Sequence, residues 1–258
     1  MIDPFHLEAY GTTTVNYNRD VEIFPVLSAI FEKIFGKCAY QSPTDMGVNM
    51  AGNCIVDDEV CREASKQEII RRYYEAVTGR LDEKRSDEEV YKLELLMKQA
   101  GISTEDRKVT VAAKERAEQT GGTPAAAIEL EDGRLLTGKT SDLLGASAAL
   151  LLNTLKELAG IPHELHVISP ASSEPIQKLK TEYLGSKNPR LHTDEVLIAL
   201  SSSAATSDVA KKALEQLPKL KGCQVHSTVM LSAVDKKIFK KLGVQLTTEP
   251  IYEHKKLY

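Results

Sequence analysis

The chain has 258 residues, of which 42% are apolar, enough to form the core of one large domain or two ordinary ones. Its 33 basic and 37 acidic side chains give a net charge of −4, which provides no broad attraction for nucleic acid or anionic lipid. The four cysteines include no CxxC pair and are typical of a reducing compartment. Because the sequence shows neither a secretion signal nor an apolar run of about 20 residues, we expect a cytoplasmic protein with no membrane segment.

Residues 1–105 are predicted to form a mainly helical subdomain. Apolar residues recur at helical spacing from Asp20 to Phe35 and from Asp57 to Val77. A further helix is expected from Asp87 to Ala100, because Gly101 suits a left-handed C-terminal cap.

Two polar segments interrupt this subdomain, "YGTTTVNYNRDVEIFP" (10–25) and "SPTDMGVNMAGN" (42–53). Loops of this polarity either bind a ligand or lie against another domain, and the alternative is a solvated loop with internal turns. The candidate ligand contacts in them are Asn18, Arg19 and Asp45.

Residues 106–258 alternate short apolar runs with helical patterns, which predicts a layered α/β domain. Asp-Gly between "AAAIEL" and "RLLTG" predicts a β-hairpin, and the long apolar segment that follows it predicts a buried helix. Thr193 to Ala205 fits a helix or a central strand, and its acidic first turn favours the helix. The remaining predicted strands are 165–169, 225–231 and 244–248, and the remaining predicted helices are 174–183, 207–217 and 234–242.

The string "DGRLLTGKTS" (132–141) contains GxxxxGKT, the spacing of a phosphate-binding loop. In such a loop the residues between the glycines arch around phosphates, whereas Arg134 to Thr137 are typical strand residues. We therefore interpret the string as a hairpin with Gly133 in its turn. Lys139, Thr140 and Ser141 are then expected at a helix start, where an N-cap is favoured over an anion site.

The loop "LGSKNPRLHTDE" (184–195) is the main candidate for an anion site. Lys187, Asn188, Arg190 and His192 are concentrated in a turn just before a predicted helix, an arrangement found in small phosphate sites. The alternative is a solvated connecting loop.

His226 and Ser227 lie in a predicted strand and should point to opposite faces of the sheet. A buried, hydrogen-bonded histidine with a structural role is the favoured interpretation of His226, and proton transfer is the alternative.

A zinc site is not supported. A hairpin followed by a buried helix is similar to the layout of cytidine deaminases, whose zinc needs a His or Cys with Glu at one helix start and a PCxxC motif at another. Neither motif is present, and Cys223 is solitary. His192 and Glu195 can share a helix face, but two groups do not make a metal site.

Several long strings resemble a bacterial family known as domain of unknown function 1846, or uncharacterised protein family 0371. They are "MIDPFHLEAYGTTTVNYNRDVEIFPVL", "SPTDMGVNM", "ASKQEIIRRYY", "GSKNPRLHTDEVLIAL" and "HSTVMLSAVDKKIFKKLGV". The resemblance implies that the chain is the C-terminal half of a longer protein whose N-terminal domain, with a glycine-rich loop of its own, is absent. It also implies a cytidine-deaminase-like layer order without zinc ligands, and it carries no established activity.

Two functions follow as hypotheses. In the first, the chain binds a phosphate-bearing, nucleotide-like small molecule at an interface with the N-terminal domain, and no cofactor is assigned. In the second, it is a non-catalytic module for homo-oligomerisation or partner docking. For the first, Lys187 and Arg190 would hold the anion, Asn188 and Ser227 would orient it, His192 or His226 would transfer a proton, and Asn18, Arg19 and Asp45 would close the site.

Overall fold

The computed structural model describes residues 17–37, 58–82 and 84–253. The chain divides into two compact units, Met1–Arg107 and Lys108–Tyr258, called here the helical unit and the α/β unit. The mixed α/β class predicted from the sequence is confirmed. Among the described residues, no helix combines the length and apolarity needed to cross a bilayer.

The described part of the helical unit contains α1 (Tyr17–Phe35), α2 (Asp58–Leu81) and α3 (Asp87–Ala100). The bounds of α3 agree with the sequence prediction, since Ser86 caps its first turn and Gly101 ends it with φ of 63°. Apolar side chains of α2 and α3 form its core, which includes Ile69, Ile70, Tyr74, Leu96 and Met97.

The α/β unit alternates helices and strands. Its helices are α4 (Lys108–Gln119), α5 (Ala146–Leu158), α6 (Pro170–Lys178), α7 (Thr193–Ala204), α8 (Asp208–Leu214) and α9 (Ala233–Lys241). Its strands are β1 (Ala125–Glu129), β2 (Leu135–Lys139), β3 (Gln224–Ser227) and β4 (Gln245–Thr248).

The four strands form one mixed sheet in the order β2-β1-β3-β4. β1 is antiparallel to both of its neighbours, whereas β3 and β4 are parallel and are connected through α9. β2, β3 and β4 therefore run in the same direction and end at the same side of the sheet. We call this side, with the loops that follow the three strands, the carboxyl edge.

Helices cover both faces of the sheet. Ala127 of β1 packs with Val109 and Ala113 of α4. Ala126 and Ile128 point the other way, into the larger core that is formed around α5. Because successive strand residues alternate between faces, α4 and α5 must lie on opposite sides of β1.

The hairpin predicted between β1 and β2 is confirmed. Leu135 pairs with Glu129 and Leu136 with Ile128 across the antiparallel ladder. Gly133 has φ of 81°, the left-handed conformation that the turn requires. Three of the four residues between the two glycines of the GxxxxGKT string, Leu135 to Thr137, are thus strand residues, so the string is not a phosphate-binding loop.

The start of α5 corrects a prediction. Thr140 and Ser141 were expected to cap this helix, but it begins at Ala146. The preceding loop is drawn away from helical geometry because Leu144 forms a parallel bridge with Leu191, far along the chain. The helix start expected at residues 139–141 is therefore absent, and so is the less favoured anion site at that helix start.

Two predicted strands also need correction. Residues 165–169 form no strand, since only Val167 among them is well buried and Pro170 immediately begins α6. The strand expected at 225–231 ends at Ser227. The ambiguous segment after His192 is helical, as favoured, and forms α7.

Candidate functional site

Residues that follow each of the three strands ending at the carboxyl edge contact residues 190–193, at the start of α7. Leu191 pairs with Leu144 in the loop after β2. Thr193 binds Asp235 beyond β3, and Arg190 contacts Glu253 beyond β4. Ligands of open α/β sheets bind at the carboxyl ends of the strands, so the candidate segment occupies the expected place for a site.

Asp235 is the buried centre of this region, with only 4% of its surface exposed. It lies in the first turn of α9, where Ser232 is the N-cap. Its Oδ1 accepts hydrogen bonds from the backbone N–H of Thr193 at 2.9 Å and from the Thr193 hydroxyl at 2.7 Å. The Ser232 hydroxyl donates to Oδ2 at 2.9 Å. Donors from two helix N-termini thus hold a carboxylate in a fixed position.

His192 is the N-cap residue of α7 and pairs with this carboxylate, with Nδ1 3.3 Å from Asp235 Oδ2. The hydrogen bond with Asp235 raises the pKa of His192, against the opposing effect of partial burial. Burial alone would raise the pKa of Asp235, but the hydrogen bonds from His192 and Thr193 lower it. The two shifts agree in stabilising an imidazolium–carboxylate pair.

The other ring nitrogen of His192, Nε2, has no hydrogen-bond or ion partner in the described part of the chain. The ring is partly exposed, with 35% of the side chain accessible. When Nδ1–H donates to Asp235, Nε2 carries a lone pair directed away from the carboxylate. The arrangement can therefore accept a proton from a bound molecule.

Arg190 lies on the same side of the segment as His192. Leu191 between them is buried, and neighbouring residues of an extended segment alternate in direction. The Arg190 Nε donates to the carbonyl of Ser141 at 2.8 Å, and its guanidinium is 3.3 Å from Glu253. The guanidinium is thus oriented and is engaged by a carboxylate, the kind of group that it would bind in an anionic ligand.

The other two residues of the predicted turn have different environments. Lys187 is exposed and has no interaction partner among the described residues. Asn188 shapes the turn, because its Oδ1 accepts from the backbone N–H of Arg190 at 3.1 Å. Of the sequence-predicted residues, Lys187, Arg190 and His192 therefore remain candidates for direct ligand contact.

The structure gives His226 and Ser227 structural surroundings. Both are 0% exposed. His226 Nδ1 lies 2.9 Å from the Thr247 hydroxyl, and its Nε2 lies 3.4 Å from Glu249. The Ser227 hydroxyl donates to the carbonyl of Val229 at 2.9 Å. With no exposed surface, neither side chain can meet a ligand in this conformation.

The predicted contacts from the helical unit are placed only in part. Asn18 and Arg19 lie in α1, not in a loop, because this helix begins at Tyr17. Asp45 lies outside the described residues. Within those residues, no group of three or more His, Cys, Asp or Glu side chains is arranged to hold a metal ion.

Sequence reasoning missed Asp235 and Lys180, and it weighed Glu195 only as a partner of His192 in a metal site, not as a support of the segment. A signal was available for Asp235, because Ser-x-x-Asp after a strand is a helix-capping pattern. Glu195 follows the same rule from His192. The buried position of Lys180 has no sequence signature, since lysine is normally a surface residue.

Two family models match this chain. Residues 105–258 match the family model "Domain of unknown function DUF1846, C-terminal" and residues 1–101 match "Domain of unknown function DUF1846, N-terminal". The expectation of a C-terminal half alone is therefore wrong, because the first part of the chain matches the N-terminal model.

Curated relatives agree with this assignment. UPF0371 protein cu0538 of Corynebacterium urealyticum is 57% identical over 258 residues, covering 100% of this chain and 52% of that protein. UPF0371 protein SUB1165 of Streptococcus uberis is 55% identical, with the same 100% and 52% coverage. The chain thus spans about half the length of the curated relatives that it matches. Both the family models and these relatives show that the chain belongs to the DUF1846 family.

Proposed function

We propose that the α/β unit binds a phosphate-bearing, nucleotide-like small molecule at the carboxyl edge and that His192 exchanges a proton with it. The observation that carries this proposal is the His192–Asp235 pair, with its Nδ1–Oδ2 distance of 3.3 Å and its buried carboxylate. A surface histidine without such a partner would offer only an unoriented imidazole.

Asp235 has two effects on the ring. It fixes the tautomer in which Nδ1 carries a proton and Nε2 is the base, and it stabilises the positive ring that forms when Nε2 accepts a second proton. The proton would come from a hydroxyl group of the ligand or from a water molecule beside it. Thr193 and Ser232 keep the carboxylate in place, so the pair needs little reorganisation during the transfer.

Arg190 and Lys187 supply the positive charge for the phosphate. The Ser141 carbonyl orients the Arg190 guanidinium. A phosphate group would replace the Glu253 carboxylate on this guanidinium, and a doubly charged phosphate is the stronger acceptor. Lys187 has no competing partner among the described residues, so its side chain is available to bind the phosphate.

Thermal unfolding in the presence of ADP or inorganic pyrophosphate tests this proposal. Both probes should raise the melting temperature of the protein, because a ligand that binds only the native state stabilises it. The double variant Lys187→Ala/Arg190→Ala should lose this increase. The matched control is Lys211→Ala/Lys212→Ala, which removes two exposed lysines from α8 and should keep it. Absence of any increase in the unmodified protein, or an equal increase in the site variant, contradicts the proposal.

A role in assembly is the second candidate, and one observation favours it. Tyr183 and Leu184, which follow α6, are 71% and 72% exposed. Exposed apolar side chains are typical of association surfaces where they form a contiguous patch. In that case Tyr183→Ser/Leu184→Ser would lower the sedimentation mass, whereas neither ADP nor pyrophosphate would raise the melting temperature.

A further inference from the structure

Lys180 is an unusual lysine in this molecule, because only 9% of its surface is exposed. It belongs to a π-helical turn, Leu179–Tyr183, that continues α6. Turns of this kind are rare and frequently occur at functional sites. A buried ammonium group is costly unless it is fully hydrogen-bonded, so its partners indicate its role.

The partners of Lys180 lie on both sides of Leu191. Its Nζ donates to the backbone carbonyl of Arg190 and lies 2.7 Å from Glu195 Oε2. The same carboxylate oxygen accepts the backbone N–H of His192 at 2.7 Å. The ammonium group of Lys180 therefore contacts two peptide planes. It binds the plane between Arg190 and Leu191 directly, and it reaches the plane between Leu191 and His192 through Glu195.

We propose that Lys180 is a positioning residue. It holds the Arg190 guanidinium and the His192 ring at the distance from each other at which both can contact one ligand. This inference rests on the proposed function, because it concerns the ligand site of that proposal. An apolar side chain of similar length would fill the same volume, but it could bind neither the carbonyl nor the carboxylate. Without these contacts the two peptide planes would be held only by the backbone hydrogen bonds of Leu191 with Leu143 and Gly145. Small displacements of reacting groups weaken sites strongly.

The pKa of His192 can be measured without a ligand and depends on the groups around the ring. The charged groups that act on the His192 ring are Asp235 from α9, Glu195 from α7 and Lys180 from the π-helical turn. Asp235 and Glu195 raise the pKa of His192, whereas Lys180 lowers it. Removal of the ammonium charge alone would raise this pKa, but displacement of the ring would break its hydrogen bond with Asp235, the largest cause of the raised pKa, so the pKa of His192 should fall.

The test compares Lys180→Met, Lys180→Arg and the control Lys178→Met, which removes an exposed lysine of α6 that pairs with Glu182. Ring NMR titration should show a lower pKa for His192 in Lys180→Met, with Lys180→Arg and Lys178→Met close to the unmodified protein. Pyrophosphate should bind about tenfold more weakly to Lys180→Met than to the other two variants. A pKa of His192 that is unchanged or higher in folded Lys180→Met overturns the positioning role.

A second variant covers the case in which Lys180→Met does not fold. Lys180→Met/Glu195→Gln leaves no unpaired buried carboxylate, so it should fold, and it should still bind pyrophosphate about tenfold more weakly. Unmodified affinity in this double variant overturns the proposal. If the unmodified protein itself does not bind pyrophosphate, the proposed function fails, while the His192 titration still decides the role of Lys180.

Discussion

His192 and Asp235 are 43 residues apart in the chain and meet because the first turns of α7 and α9 converge. The sequence predicted one member of this pair. His192 is visible as a polar residue in a basic turn before a helix, whereas the importance of Asp235 depends on its burial. Burial of a single carboxylate follows from tertiary packing, which local patterns do not encode.

The pair predicts a pH-dependent contribution to stability. The pKa of His192 is raised in the folded protein, so the native state binds the proton more tightly than the unfolded chain does. Its stabilisation is fully present below the unfolded pKa of about 6.5 and is lost as the pH rises through the higher folded pKa. His192→Gln should therefore lower the free energy of unfolding more at pH 6 than at pH 9, as measured by urea denaturation.

His163→Gln is the control for this comparison, since it removes an exposed imidazole from the same unit. The effect of His192→Gln must decrease toward high pH for the pair to exist as described. A cost that is constant between pH 6 and pH 9, or one that increases with pH, would show that the ring and Asp235 do not form an ion pair.

At the scale of elements, the contact between β2 and α5 depends on Gly138. A Cβ atom added at Gly138 would lie 2.2 Å from the backbone nitrogen of Leu150 and 2.9 Å from the carbonyl of Ala146. Both atoms belong to the helix backbone and cannot move aside separately. Gly138→Ala should therefore destabilise the protein by about 3 kcal/mol, at the upper end of overpacking costs.

Gly133→Ala is the matched comparison for Gly138→Ala in the same hairpin. No atom lies within 4 Å of its added Cβ, but its φ of 81° disfavours alanine. It should cost about 1 kcal/mol from backbone strain alone. Equal free energies of unfolding for the two variants, measured in urea, would contradict the close packing of α5 on β2.

Elements with strong local signals were predicted well, and those fixed by distant contacts were not. Asp-Gly identified the hairpin, and Gly101 identified the end of α3. The start of α5 was misplaced because Leu144 pairs with Leu191, a contact that no local pattern contains. A short apolar run at 165–169 resembled a strand, yet it lies outside the sheet.

For the whole molecule, the net charge of −4 gives anions no general attraction. The proposed phosphate ligand would therefore depend on local cations at the carboxyl edge, where three same-direction strands end. That location follows from the sheet topology, which the sequence predicted only as an α/β layer arrangement. The parallel pairing of β3 with β4 and the position of β1 between β2 and β3 required the structure.

Ring NMR of the six histidines during an ADP titration tests the central claim most directly. We expect the His192 signals to move with ADP and the pKa of His192 to rise further, because a bound phosphate favours the positive ring. Signals of His163 should stay in place, and Arg190→Ala should suppress the change at His192. His192 signals that do not move while ADP binds, or that move equally in Arg190→Ala, would contradict a phosphate site at the carboxyl edge.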